Sequence, residues 1–131
     1  MLDKETAGKV ISVLEENSTE MSMNWSKRYR DNMEKMKSGD IYEIADVVRN
    51  LSFKQKEKGL STGEKKMLQN AKQILVSELV LAEHSSADYI ENLVENKIST
   101  SFAEFNPGFV TKQSDNIVKK FIPFNGTETG V

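Results

Sequence analysis

The sequence predicts an all-α protein, a compact bundle of about five helices followed by a phenylalanine-rich C-terminal tail. Three observations predict it. Apolar residues recur at three- and four-residue spacings through the first hundred positions, the period of a helix with one buried face. Residues that start and stop helices fall where these stripes break. Both prolines, three of the seven glycines and five of the six phenylalanines lie beyond residue 100, where the character of the chain changes.

A first helix over residues 6–16 turns Val10, Ile11, Val13 and Leu14 toward one side and ends at Asn17-Ser18-Thr19. A second begins near Asn24 and runs to Lys37, with Trp25, Tyr29, Met33 and Met36 spaced by fours and a three. Gly39 supplies the left-handed residue after its end, and Lys35 and Lys37 stand where the helix dipole favours positive charge. Asp40 caps a third helix carrying Ile41, Ile44, Ala45, Val48 and Leu51, which Gly59 stops and Leu60 closes. Ser61-Thr62-Gly63-Glu64 has the form of a capping box, in which hydroxyl and carboxylate satisfy each other's backbone donors. It opens the longest helix, with Met67, Leu68, Ala71, Ile74, Leu75, Leu79 and Ala82 in helical phase. Ser85-Ser86-Ala87-Asp88 caps a short fifth helix with Tyr89, Ile90, Leu93, Val94 and Ile98. The helical core is thus expected over about residues 5–98.

The expected division is a helical domain over 1–98 and an aromatic tail of unassigned role over 99–131. Phe102, Phe105, Phe109, Phe121 and Phe124 make the tail too apolar for a solvated linker. Asn106-Pro107-Gly108 signals a turn, and residues 114–122 fit one short helix. Packing back onto the bundle and binding a partner both fit this composition. There is no internal repeat and no low-complexity tract.

Composition excludes several functions. Without cysteine there is no disulfide framework, thiolate metal site or thiol nucleophile. His84 is the single histidine, so the common His-based zinc sites are excluded, and a Ser-His-Asp triad has one possible centre. No glycine-rich phosphate loop is present. The carboxylates, Asp40, Glu43 and Asp46 among them, read as solvated helix residues, and His84 as a side chain at a helix C-terminus. No segment approaches the roughly 20 apolar residues of a membrane span, and the N-terminus lacks the apolar run of a signal peptide. The expectation is a cytosolic, non-enzymatic module with no catalytic residues, cofactor or metal.

The net charge of −2 conceals a segregation. Residues 1–23 hold two basic and five acidic residues, a net −3. Residues 24–72 hold twelve basic and seven acidic, a net +5, and residues 73–131 four basic and eight acidic, a net −4. A basic stripe between acidic flanks is suited to meet phosphate, although charge runs are more often solvated helix faces. The informative stretch is Asn24-Trp25-Ser26-Lys27-Arg28-Tyr29-Arg30, with the only Trp at a helix start and three cations just after it. An aromatic plate flanked by cations can stack on an opened base step while the cations neutralise phosphates. On periodicity alone the favoured reading is that Trp25 is the top of a core stripe with Tyr29 and Met33, the cations being solvated around it. A second cluster, Lys65, Lys66 and Lys72, follows Lys54, Lys56 and Lys58, and sequence alone leaves open whether it faces the same way.

Three further stretches accompany the Asn-Trp motif: Ser38-Gly39-Asp40, Ala45-Asp46-Val47-Val48-Arg49-Asn50-Leu51, and Lys58-Gly59-Leu60-Ser61-Thr62-Gly63-Glu64-Lys65-Lys66-Met67-Leu68 through Ala71-Lys72-Gln73-Ile74-Leu75. In this order they resemble the C-terminal helical domain of the CarD/CdnL family of bacterial transcription regulators, over roughly residues 3–98. The resemblance implies a domain that contacts promoter DNA at the upstream edge of the transcription bubble and stabilises the open complex of RNA polymerase. Trp25 would be the minor-groove wedge at the fork junction, with Lys27, Arg28 and Arg30 beside it and Lys65, Lys66 and Lys72 holding the backbone. It implies an exposed indole, against the periodicity, and a cytoplasmic, nucleoid-associated protein. In the family an N-terminal β domain grips the polymerase β subunit. That domain is missing here, so the chain is expected to be an excised domain that does not itself bind polymerase. The tail after Ile98 has no counterpart in the likeness. The rival expectation is a protein-interaction bundle using Trp25 and the tail aromatics as buried anchors.

Overall fold

The computed structural model describes residues 2–109, which form α1 (Lys4–Leu14), α2 (Trp25–Ser38), α3 (Ile41–Glu57), α4 (Thr62–Glu83) and α5 (Ala87–Phe105), with no strand among them. The chain divides into two units, the first ending at Ser101.

Within the first unit α3 is the hub, packed against α1, α2 and α4. An amphipathic helix at the surface buries one stripe, whereas one enclosed on all sides buries everything. Accordingly every residue from Val47 to Phe53 is buried, polar ones included. Ala7, Val10 and Leu14 of α1 and Met67, Leu68, Ala71, Leu75 and Leu79 of α4 complete the core around Ile44, Val48 and Leu51.

The ends of the helices follow local chemistry. Asp40 Oδ1 accepts the Tyr42 N–H, Gly39 takes φ 74°, and Gly59 takes φ 88° just past α3, conformations a Cβ would strain. The capping box at Ser61 and Glu64 is formed in both directions. His84 ends α4 in the left-handed region at φ 53°.

Two helices differ in extent from expectation. α1 starts at Lys4, because Asp3 accepts the Thr6 N–H, and stops at Leu14, two residues early. α5 is a long helix rather than a short one, capped by Ser86, whose Oγ accepts the Tyr89 N–H. Its buried residues Ile90, Val94, Ile98 and Phe102 are spaced by fours, so the stripe continues four residues past Ile98. The helix yields at Asn106, because a residue before proline disfavours the α region. Asn106 turns back to the Phe102 carbonyl through its N–H and side chain, a helical turn covers residues 107–109, and Phe109 stands edge-on to Phe102. The expected helix at 114–122, with Phe121 and Phe124, lies outside the described residues.

A polar knot fixes the loop between α1 and α2. Arg49, wholly buried, donates to the Val13 carbonyl at 2.8 Å, to Asn50 Oδ1 and to Asp46. Asn50 accepts the Thr19 N–H at 3.0 Å and donates to Thr19 Oγ1 at 2.7 Å. Asp46 also takes Lys35 of α2, so it is an interior hub, not the solvated carboxylate its sequence context suggests. The knot holds the strand of chain that delivers Asn24 and Trp25 to the start of α2.

Candidate nucleic-acid interface

Asn24 leaves the loop extended and caps α2, accepting the Lys27 N–H at 2.9 Å. Trp25 is therefore the first helical residue, where side chains project past the neighbouring helices. It is 47% exposed, and Met23 just before it is 88% exposed. The indole stacks on Tyr29 one turn later, with ring centroids 5.3 Å apart and planes 22° from parallel. Offset stacking of this kind adds to simple burial.

The aromatic pair lies across the first turn of α4. A Cβ built on Gly63 would stand 3.4 Å from Tyr29 Cε1 and 3.9 Å from Trp25 Cζ2, ordinary contact distances, so the rings lie over this turn with room for a methyl group. The indole Nε1–H donates to Ser61 Oγ at 2.9 Å. The N-termini of α2 and α4 thereby meet at Trp25.

Beneath the rings lies an ion pair. Arg28 is 8% exposed and Glu64 1%. Arg28 Nε donates to Glu64 Oε2 at 2.6 Å, and its Nη1 donates to the Ser22 and Met23 carbonyls at 3.0 and 3.4 Å. Glu64 Oε1 accepts from Ser61 Oγ at 3.1 Å. Burial alone would raise the Glu64 pKa, but the hydrogen bonds from Arg28 and Ser61 outweigh it and hold the carboxyl below its usual range.

The expected cations thus divide by environment. Arg28 is a correction: its guanidinium faces inward and is consumed by Glu64 and loop carbonyls, leaving no fork for a phosphate. Lys72 is bridged to Glu95 of α5 and is not an open cation either. Arg30, Lys65 and Lys66 are exposed. Lys27 is exposed and carries a surface pair to Asp31 at 2.9 Å, an arrangement worth little in water. Lys65 and Lys66 lie two and three residues beyond the Gly63 floor, so the structure brings them to the same end of the molecule as Trp25. Lys27 and Arg30 sit in the first turns of α2, which has no acidic residue in its first turn. Cations there oppose the helix dipole, a local destabilisation of roughly 0.3–1 kcal/mol per exposed charge.

The CarD C-terminal domain family matches residues 9–95 of this sequence. The chain belongs to that family. A relative from Bacillus subtilis (strain 168), named "Putative transcription factor YdeB", is 41% identical over 70 residues. The match takes in 53% of this chain and 46% of that protein, so the chain spans about half the length of the curated relative it matches. No helix among the described residues is long and apolar enough to cross a membrane.

Residues that sequence reasoning missed are the buried partners. Glu64 is legible as a cap but not as the counter-ion of Arg28, 36 residues away. Arg49 and Asn50 carry no local signal beyond lying on the stripe side of α3.

Proposed function

We propose that this CarD-type domain regulates transcription by binding promoter DNA at the upstream edge of the melted region. Trp25 stacks on the opened step in the minor groove, and Lys27, Arg30, Lys65 and Lys66 hold the flanking phosphates. The complex favours the open state of the promoter by binding it, without covalent chemistry, cofactor or metal, in the cytoplasm at the nucleoid. Arg28 serves this surface from beneath, and Lys72 lies at its margin. Polymerase binding is not assigned to these helices.

One observation carries the reading: a half-exposed indole, bonded to Ser61 and stacked on Tyr29, where two helix N-termini and exposed cations meet. Rigid aromatic plates lose little entropy on stacking, and base stacking on an aromatic residue is worth about 1–3 kcal/mol. The test compares wild type and Trp25→Ala on a forked and a fully paired duplex. The expected result is a five- to 150-fold loss on the fork, the equivalent of about 1–3 kcal/mol, with duplex affinity spared. Equal fork affinity would remove the wedge.

The adjacent apolar pair Met23 and Trp25 favours the rival, a protein-docking patch. Salt separates the two. Phosphate binding weakens steeply with ionic strength, and an apolar anchor does not.

A further inference from the structure

We propose that Ser61 is the positioning residue of Trp25, and that the buried Arg28–Glu64 pair gives it that role. This rests on reading Trp25 as the group that meets opened DNA.

A serine hydroxyl has one proton and two lone pairs. Glu64, ionised against Arg28, is acceptor-only, and Ser61 Oγ lies 3.1 Å from its Oε1. The hydroxyl proton is committed to that bond. Of the two lone pairs, one takes the Glu64 backbone N–H at 3.2 Å and the other the Trp25 Nε1–H at 2.9 Å. Every valence of the oxygen is used. The indole N–H is therefore held in one direction by a chain running from Arg28 through Glu64 and Ser61 to Trp25.

Packing closes the remaining freedom. Tyr29 stacks on one face of the ring, and a Cβ built on Gly63 would stand in ordinary contact, 3.9 Å, with Cζ2. The ring keeps nearly half of its residue's surface open while its polar atom is occupied. It is presented as an oriented plate, with the orienting group 36 residues away in sequence. Pre-organisation of a contact side chain improves affinity by removing the entropy of ordering it at binding.

The test uses Ser61→Gly, because glycine is nearly as good a cap as serine yet lacks the hydroxyl. With one Trp in the chain, the indole N–H gives a single resonance and the fluorescence a single source. Expected without DNA are faster indole N–H exchange and stronger quenching by acrylamide, with helix content unchanged. Expected with forked DNA is a loss of about three- to tenfold, with duplex binding unchanged. Ser61→Thr should restore both readouts. Wild-type indole exchange and quenching in Ser61→Gly would overturn the proposal, as would a freed ring that binds the fork at full strength. The underlying DNA reading fails separately, if Trp25→Ala binds the fork like wild type, and the DNA-free readouts still decide whether Ser61 holds the ring.

Discussion

Arg28 of α2 and Glu64 of α4 meet at 2.6 Å in the interior, and Ser61 joins Glu64 to the indole of Trp25. The two residues look like opposite kinds of group in the sequence, one a DNA-facing cation and the other a helix cap. Together they join the start of α2 to the start of α4. The exposed surface at Trp25 therefore stands on a buried charge pair rather than on an apolar core.

Arg28 and Lys65 should consequently fail in different ways. Arg28→Ala leaves the Glu64 carboxylate buried without its partner, a loss of about 3–5 kcal/mol, read as a lowered thermal midpoint. Lys65→Ala should leave the midpoint unchanged and lower the salt slope of DNA binding by about 1, as for one lost phosphate contact. A fall in the salt slope for Arg28→Gln, at unaltered stability, would place the Arg28 side chain on DNA after all.

Acid should test the same pair. The folded-state pKa of Glu64 is held below its ordinary 4.5. Its stabilisation is therefore complete above about pH 4.5 and is lost as pH falls through the lower folded value. Asp3, whose carboxyl is lowered by its bond to the Thr6 N–H, shifts in the same direction from an exposed position. Glu64→Gln should flatten the acid limb of a stability–pH profile measured by denaturant unfolding. A limb of unchanged steepness would contradict the assignment.

Gly63 supplies a steric test. A methyl group there meets Tyr29 Cε1 at ordinary contact distance, 3.4 Å. Gly63→Ala should be tolerated or stabilising by up to about 0.5–1 kcal/mol through the unfolded chain, with Trp25 emission unaltered. Gly63→Leu should push the rings off α4 and shift that emission. Identical emission from both variants would mean that the rings do not rest on this turn.

Much of this was legible in the sequence, and the reasons are physical. Gly39, Asp40, Gly59 and the Ser61–Glu64 box act through bonds two to five residues long, so local spacing is enough to find them. The stripes of α3 and α4 follow the helical period. The tertiary partners were not legible. In α2 the fully buried residues are Arg28 and Asn32, while Tyr29, Met33 and Met36 are half-buried and Trp25 is exposed. Periodicity assigns the interior to apolar residues, and only the Glu64 carboxylate across the boundary reverses that for Arg28. Asp46 reads locally as a solvated carboxylate for the same reason, since Lys35 and Arg49 reach it from two helices. The end of α5 is hidden because its phenylalanines resemble the tail in composition, although Phe102 keeps the spacing of Ile90, Val94 and Ile98.

The most direct test of the central claim uses the single indole as its own reporter. Acrylamide quenching of Trp25 is measured on the free protein, with a fully paired duplex, and with a forked duplex at saturating concentration. The account predicts ready quenching of the free protein, little change with the paired duplex and strong protection with the fork. Equal quenching in all three states would contradict it, because a ring that stacks on opened DNA cannot stay equally open to solvent.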